Sequence, residues 1–464
     1  MFRGNVHRIH FVGIGGAGMS GIAEVLLTQG YAVTGSDLKE GAAVRRLREL
    51  GGVIHVGHDP TYVVGVDVVV KSTAIPSHNI EIRAADRLQI PVIPRAEMLG
   101  ELMRMKYGVA VAGSHGKTTT TSMMARCLHQ GGLDPTIVIG GRLDAIGSSA
   151  RLGAGEYIVA EADESDGSFL QLDPTVAVVT NIDPEHMEHW GTMEALLAGF
   201  AEFANKVPFY GFVTLCLDNP NVQRLIPRIN RRFLTYGLNR QAEIHAVERK
   251  TDGISARFTV ARGRDHLGDI HLKMPGDHNV SNALAAVATS LELGISFSDI
   301  QEALEGFTGV DRRFSLRAEI SVGDGDPVTI IDDYGHHPTE IAATLQGARA
   351  AWPRRRIHAV FQPHRYTRVR DLLEEFSGSF HQAEHVMVCP VYAAGEKPIP
   401  GLDQARIAQA IRDHGHRGVT VVADLDQAAA QLAAQVEPGD VVITLGAGDV
   451  NRVCADLEEA LRAS

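Results

Sequence analysis

Short apolar runs alternate with amphipathic stretches through the first hundred residues. Arg8–Val12, Tyr31–Thr34, Val53–Val56, Asp67–Val70 and Val92–Ile93 have the length and β-branched content of buried strands. Ile22–Gln29, Ala42–Leu50 and Glu81–Leu88 carry the apolar spacing of helices. Strand–helix alternation predicts a parallel sheet with helices on its faces. A second αβ series starts at Tyr107, with strands expected at Tyr107–Ala112, Thr136–Ile139, Tyr157–Ala160, Val176–Thr180 and Phe212–Leu217. From Ala242 to Lys273 the pattern is β-like with few helical signals, which predicts an antiparallel patch, and a helix follows over Val280–Leu293. A third series begins after Asp311, with strands expected at Val328–Ile331, His358–Phe361, His385–Cys389, Val419–Ala423 and Val441–Leu445. The expected architecture is therefore α/β with three domains, at 1–106, 107–311 and 312–464.

Composition agrees with this division and narrows the partners. A length of 464 residues suits about three domains, and 44% hydrophobic residues supply several cores. The net charge of -12 argues against a nucleic-acid partner, which needs clustered basic charge. Nucleotides remain compatible, because backbone N–H groups and a few local cations bind phosphate. Cys127, Cys216, Cys389 and Cys454 lie far apart and form no CxxC, as in a reduced, cytoplasmic protein. The chain opens on a polar turn and a strand without a basic-then-apolar leader, and no apolar run approaches the roughly 18 residues of a span, so no membrane partner is expected.

The strongest chemical signal is Gly113-Ser114-His115-Gly116-Lys117-Thr118-Thr119-Thr120-Thr121, set between an apolar strand and a helix expected over Ser122–Gln130. Free N–H groups at a helix start point at an anion, the lysine adds positive charge, and the Thr118 hydroxyl is placed to reach a magnesium ion. The usual loop has four residues between its glycines; this one has two. A second glycine motif, Gly13-Ile14-Gly15-Gly16-Ala17-Gly18, also lies between a strand and a helix, and Asp37 ends the next strand nineteen residues after Gly18. That is a dinucleotide fingerprint in its required context, and it fits a UDP-sugar as well as NAD.

Further polar clusters fall at strand ends. Glu161-Ala162-Asp163-Glu164-Ser165-Asp166 is placed for magnesium ligands beside the phosphate loop, with a solvated acidic turn as the plainer alternative. Thr180-Asn181-Ile182-Asp183-Pro184-Glu185-His186-Met187 ends the neighbouring strand. Asn279 and Asn282 share a helix face and offer amides that suit an adenine edge, with helix capping by Asp277 or Asn279 as the plainer alternative. Arg312 and Arg313 sit at the expected second junction, where domain motion would carry an arginine onto a phosphate. Asp332-Asp333-Tyr334-Gly335-His336-His337-Pro338 and Gln362-Pro363-His364-Arg365-Tyr366-Thr367-Arg368 end two strands of the third series, and the two arginines suit a carboxylate.

Together these motifs resemble the Mur ligase family of cell-wall synthesis enzymes over the whole chain and in the family's order. The two-residue gap between Gly113 and Gly116 is that family's gap, and Gly13 to Ser20 resembles its alanine-adding member and nearest relatives. The resemblance implies ATP-dependent joining of L-alanine to UDP-N-acetylmuramic acid through an acyl phosphate, with Mg2+ required. It implies that Gly13, Gly15, Gly16, Ala17, Gly18, Met19, Ser20, Asp37 and Ser72 bind the UDP substrate. Gly113, Ser114, His115, Gly116, Lys117, Thr118, Thr119, Asn279, Asn282, Arg313 and Asp333 would bind ATP. Thr118, Glu161 and His186 would hold magnesium, and Lys117, His186 and Arg313 would be catalytic. Tyr334, His336, Arg365 and Arg368 would surround alanine. Several members carry a carbamoylated lysine after the His-Met motif; no Lys lies between Met187 and Asn205, so none is expected here. The expected state is a monomer or weak homodimer. A murein-peptide recycling ligase shares the N-terminal motifs, a folylpolyglutamate synthase-like ligase is disfavoured by the UDP-type domain, and an NAD dehydrogenase is disfavoured by the second phosphate site.

Overall fold

A computed structural model describes residues 6–72, 74–143, 148–323 and 325–463. The chain forms two compact units, one of Met1–Glu248, Phe258–Ile270 and Ser281–Phe307, the other of Arg249–Arg257, His271–Val280 and Thr308–Ser464.

The first sheet comprises β1 (Arg8–Val12), β2 (Ala32–Asp37), β3 (Val53–Val56), β4 (Val68–Lys71) and β5 (Val92–Pro94). All are parallel, in the order β3-β2-β1-β4-β5. The order reverses between β1 and β4, and the crevice at such a reversal is where open α/β sheets take ligands. Gly13 and Ser72 follow the ends of those two strands. The helix Arg95–Arg104 starts directly after β5, with Pro94 as its N-cap. It has no glycine or polar linker before it, and the apolar pattern had not disclosed it.

The second sheet comprises β6 (Tyr107–Ala112), β7 (Thr136–Leu143), β8 (Ser148–Arg151), β9 (Tyr157–Glu161), β10 (Val176–Val179), β11 (Phe212–Cys216), β12 (Phe233–Gly237), β13 (Ile244–Asp252), β14 (Ser255–Arg262) and β15 (Asp265–Leu272). Its order is β15-β14-β13-β12-β11-β10-β6-β9-β7-β8. β6 runs parallel to both β9 and β10, so the ends of these three strands lie side by side. The segment expected to be β-like from Ala242 extends this sheet as β13–β15. One core joins the first two sheets: Phe11, Ile22, Val70, Leu99 and Leu102 pack in the same cluster as Ala110, Phe169, Phe200 and Phe203. Each fully buried aromatic there contributes about 1.5–3 kcal/mol relative to exposure.

The third sheet, in the second unit, comprises β16 (Ser315–Ile320), β17 (Val328–Asp333), β18 (Ile357–Phe361), β19 (His385–Val388), β20 (Val419–Val421) and β21 (Val441–Leu445). Its order is β16-β17-β21-β18-β19-β20, parallel except for β16. β17 is buried along its whole length, with Ile331 in one core and Ile330 in the other. Continuous apolar strands of this kind are expected where helices cover both faces. β16 lacked a sequence signal because it is a half-exposed edge strand with charges on its open side.

Candidate active site

The phosphate loop joins β6 to the helix Lys117–Gln130, one turn longer at its start than the apolar pattern predicted. Gly113 has φ +137, and a Cβ there would collide with Thr180 Oγ1 and lie 2.9 and 3.0 Å from the backbone of Asn181. Gly116 has φ +78, and its Cβ would come 2.5 Å from Asn282 Oδ1. Both positions demand glycine, for conformation and for space. The loop is tied to the end of β10: the Ser114 N–H donates to Asn181 O (3.1 Å), the His115 N–H to Asn181 Oδ1 (2.7 Å) and the Asp183 N–H to Ser114 Oγ (2.8 Å). Thr180 Oγ1 donates to His115 O (2.7 Å).

Lys117 folds back over this loop. Its Nζ donates to Gly113 O (2.6 Å), to Ser114 O (3.2 Å) and to both carboxylate oxygens of Glu164 (3.0 and 2.8 Å). Burial works against the lysine's charge, but Glu164 and then Asp163 outweigh it and hold its pKa above the usual value. Burial pushes Glu164 above the usual carboxylate range against the pull of Lys117. Glu161 ends β9, and Glu164 lies just beyond it, 1% exposed. His186 has φ +55, a left-handed backbone rare outside glycine, and its ring Nε2 is 3.8 Å from Glu185 Oε2. Donor atoms of Glu164, Glu185 and His186 all lie within 4.8 Å of one another. The Thr118 hydroxyl and the Glu161 carboxylate are hard oxygen donors of the kind Mg2+ takes, so the residues present fit that ion. Lys206, which lies beyond the motif, donates to Leu170 O and sits 3.7 Å from Asp173.

A cavity of about 250 Å³ joins the two glycine motifs, lined by Gly18, Arg95 and Leu99 from the first sheet's side and by Lys117, Val138, Ile139, Glu161 and Asp163 from the second's. Arg95 crosses it, 3.8 Å from Asp163 Oδ2, with Nη1 2.7 Å from where a Gly18 Cβ would stand. In the N-terminal motif the Gly15 N–H donates to Asp37 Oδ2 (2.8 Å), and the N–H groups of Gly13 and Ile14 donate to Ser36 O (2.9 and 3.0 Å). The helix Ala17–Thr28 begins inside the motif and carries Met19 and Ser20, both buried. Ser72 Oγ accepts from the Ala74 N–H (3.3 Å). Thr119 is buried in the first turn of the loop helix.

The helix Asp277–Glu292 carries both asparagines. Asn282 faces the loop, its Oδ1 accepting from Thr120 Oγ1 (3.2 Å). Asn279 is 2% exposed and donates to Pro275 O (2.8 Å), a bond that secures the helix start.

The second unit gathers its own cluster at the ends of β17 and β18. Arg313 pairs with Glu340 (3.2 Å) and lies 5.2 Å from the Tyr334 ring centre. Asp333 accepts from the N–H groups of Phe314 (2.8 Å) and Gly335 (2.7 Å), and burial raises its pKa despite Arg313. Arg312 fixes the chain reversal by pairing with Asp332 (3.0 Å) and donating to Gly446 O (2.7 Å). The His336 and His364 rings lie 5.6 Å apart, and His364 stacks on Tyr392 at 5.5 Å. Burial pushes His336 down to about 3 and His364 to about 4. Arg368 Nη1 lies 3.3 Å from His364 Nδ1, and Arg365, with φ +67, precedes the short helix Tyr366–Asp371. His337 caps the helix Pro338–Ala351, accepting from the Thr339 N–H (3.3 Å).

Family models match along the chain: the Mur ligase family catalytic domain at residues 8–107, the Mur ligase middle domain at 111–290 and the Mur ligase glutamate ligase domain at 312–448. The chain belongs to the Mur ligase family. Its similarity to curated members is high and spans their full length. It is 54% identical to a UDP-N-acetylmuramate–L-alanine ligase of Desulfatibacillum aliphaticivorans, covering 96% of this chain and 97% of that one. It is 53% identical to the ligase of the same name from Anaeromyxobacter sp. (strain Fw109-5), covering 100% of each. Among solved structures, the UDP-N-acetylmuramate–alanine ligase of Thermotoga maritima superposes with a TM-score of 0.80 at 29% identity, covering 98% of this chain and 99% of that one. A murein peptide ligase from Psychrobacter arcticus shares the fold with a TM-score of 0.69 at 24% identity, covering 98% of each.

In this Mur ligase, one side chain that lines the cavity, Arg95, stands in none of the motifs named above. Arg95 sits in Pro-Arg-Ala-Glu, a helix start without unusual composition. Glu164 and Glu185 were within the quoted motifs, yet their convergence on His186 depends on β9 and β10 flanking β6.

Proposed function

We propose that the protein is an ATP-dependent ligase that joins L-alanine to the carboxyl group of UDP-N-acetylmuramic acid in peptidoglycan precursor synthesis. The observation that carries this reading is identity above half, over essentially the whole chain, to ligases named for that reaction. The cavity between the UDP-type motif and the phosphate loop supports it, because the two loops open on one space.

In this reading, 1–106 binds the UDP substrate, 107–311 binds ATP and 312–464 receives the amino acid. Gly13, Gly15, Gly16, Ala17, Gly18, Met19, Ser20, Asp37 and Ser72 hold the nucleotide of the UDP substrate. Arg95 is placed to orient its acid end toward Lys117. Gly113 to Thr119 would cradle the ATP phosphates, Asn279 and Asn282 would bind adenine, Asp333 the ribose and Arg313 the γ-phosphate. The carboxylate oxygen attacks the γ-phosphorus and ADP leaves. The alanine nitrogen then attacks the acyl carbon, phosphate departs and the nitrogen loses its proton. Lys117 neutralises charge on the γ-phosphoryl group. Thr118, Glu161 and His186 would hold Mg2+, which when bound supplies further neutralisation of phosphate charge. Arg365 and Arg368 bind the alanine carboxylate, with Tyr334 and the neutral His336 beside it. The acyl phosphate is prone to hydrolysis, so water must be excluded before it forms. We place the protein in the cytoplasm, as a monomer or weak homodimer. Phosphate release with ATP and UDP-N-acetylmuramic acid should require L-alanine. Release driven instead by a murein tripeptide would assign the recycling activity.

A further inference from the structure

Glu81 stands in none of the motifs, yet it is wholly buried and is bonded to Ser36 at the end of β2. It lies in the first turn of the helix Ile80–Arg87, where the helix start favours a negative charge. A carboxylate only accepts hydrogen bonds, and several donors converge on this one. Oε2 accepts from Ser36 Oγ (2.7 Å) and His10 Nε2 (3.1 Å). Oε1 accepts from the Asp59 N–H (3.1 Å) and His58 Nδ1 (3.2 Å). Burial works against the charge, but the bonds from His10 and Ser36 outweigh it and hold the pKa of Glu81 below the usual value. His10 is itself buried on β1, with Thr34 Oγ1 2.7 Å from its Nδ1.

These bonds end on the backbone that shapes the UDP-type motif. Ser36, whose hydroxyl donates to Glu81, accepts the Gly13 and Ile14 N–H groups on its carbonyl oxygen (2.9 and 3.0 Å). The next residue, Asp37, accepts from the Gly15 N–H (2.8 Å) and, through its carbonyl, from the Gly57 N–H (2.8 Å). His58 and Asp59 follow Gly57 directly. One carboxylate thus ties the glycine loop after β1 to the loop after β3, on the two sides of Asp37. Apolar packing would serve stability as well as a buried ionic network does. What the network adds is one fixed register between the two loops. A binding loop needs its donors held to within about 0.5 Å by residues behind it. We propose that Glu81 is a positioning residue for the UDP substrate, holding these two loops in the register that receives a nucleoside diphosphate. This inference rests on the proposed function above.

Calorimetric titration of the full chain with UDP-N-acetylmuramic acid, and separately with a non-hydrolysable ATP analogue, tests this. In Glu81→Gln the amide turns its NH2 toward one pair of donors, and UDP-N-acetylmuramic acid should bind at least about tenfold more weakly. Ser36→Ala keeps the carbonyl that holds the glycine loop and removes the link to Glu81. It should weaken the same ligand at least about threefold, and it decides the matter alone if Glu81→Gln does not fold. The double variant should bind within about twofold of Glu81→Gln, because both changes cut one path. ATP-analogue affinity should stay within about twofold of wild type throughout. Wild-type affinity for UDP-N-acetylmuramic acid in Ser36→Ala, or a double variant whose loss is the product of the two single losses, would overturn the assignment. So would an equal loss for both ligands, the mark of a merely structural role. Failure of wild type to bind UDP-N-acetylmuramic acid would instead overturn the proposed function.

Discussion

Lys117 is held by four contacts, two of them to Glu164. Lys117→Ala removes the cation that serves the γ-phosphoryl group and should lower ATP turnover by at least about 10²–10³-fold. It also strands a buried carboxylate, at a cost of about 3 kcal/mol at neutral pH, readable in urea unfolding. The sign with pH follows from Glu164, whose folded pKa is raised. Its proton is bound more tightly in the folded chain, so the variant should regain stability on acidification and lose it as pH rises through the raised value. Arg95 makes a different prediction. It lies in the cavity between the two loops and is only loosely paired with Asp163. Arg95→Ala should leave the melting temperature close to wild type and lower kcat/KM for the UDP substrate by about tenfold, the size of one charged hydrogen bond. An unchanged kcat/KM would remove Arg95 from the site.

At the scale of elements, the loop between β6 and the helix Lys117–Gln130 works because two glycines admit Thr180, Asn181 and Asn282 to its backbone. Gly113→Ala should cost about 1–3 kcal/mol and abolish ATP-analogue binding, while Gly132→Ala, in open space at the far end of the helix, tests φ strain alone. This loop was legible because its information is local: glycines, lysine and threonines at fixed spacing between an apolar strand and a helix. The strand series was legible for the same reason, since parallel strands covered on both faces read as continuous apolar runs. Sites built from several elements were not. Glu164, Glu185 and His186 converge only because β9 and β10 flank β6, an order that no stretch of sequence states. Asn279 shows both readings the sequence offered, since its amide N–H serves the helix start at Pro275 while the residue stays a candidate for adenine.

At the scale of the whole molecule, burial holds several histidines of the second unit below the ordinary value: His278 at about 4, His336 at about 3 and His364 at about 4, with His358 and His416 lowered too. They stay neutral in the folded chain while the unfolded chain takes up protons below about pH 6.5. Their contribution to stability is present above that value and is lost as pH falls toward 4. Thermal unfolding between about pH 7 and pH 4.5 should therefore show a falling midpoint, with a shallower slope in His278→Gln. Ligands bound by the intact chain act the other way: UDP-N-acetylmuramic acid at a hundredfold excess over its Kd should add about 2.7 kcal/mol, and NAD nothing. The central claim is that ATP hydrolysis here is harnessed to joining one amino acid to one UDP-bound acid. It is tested most directly by phosphate release with ATP and UDP-N-acetylmuramic acid against a panel of amino acids and murein peptides. The account predicts release with L-alanine and formation of the amide in equal amount; release with the tripeptide but not with L-alanine would contradict it.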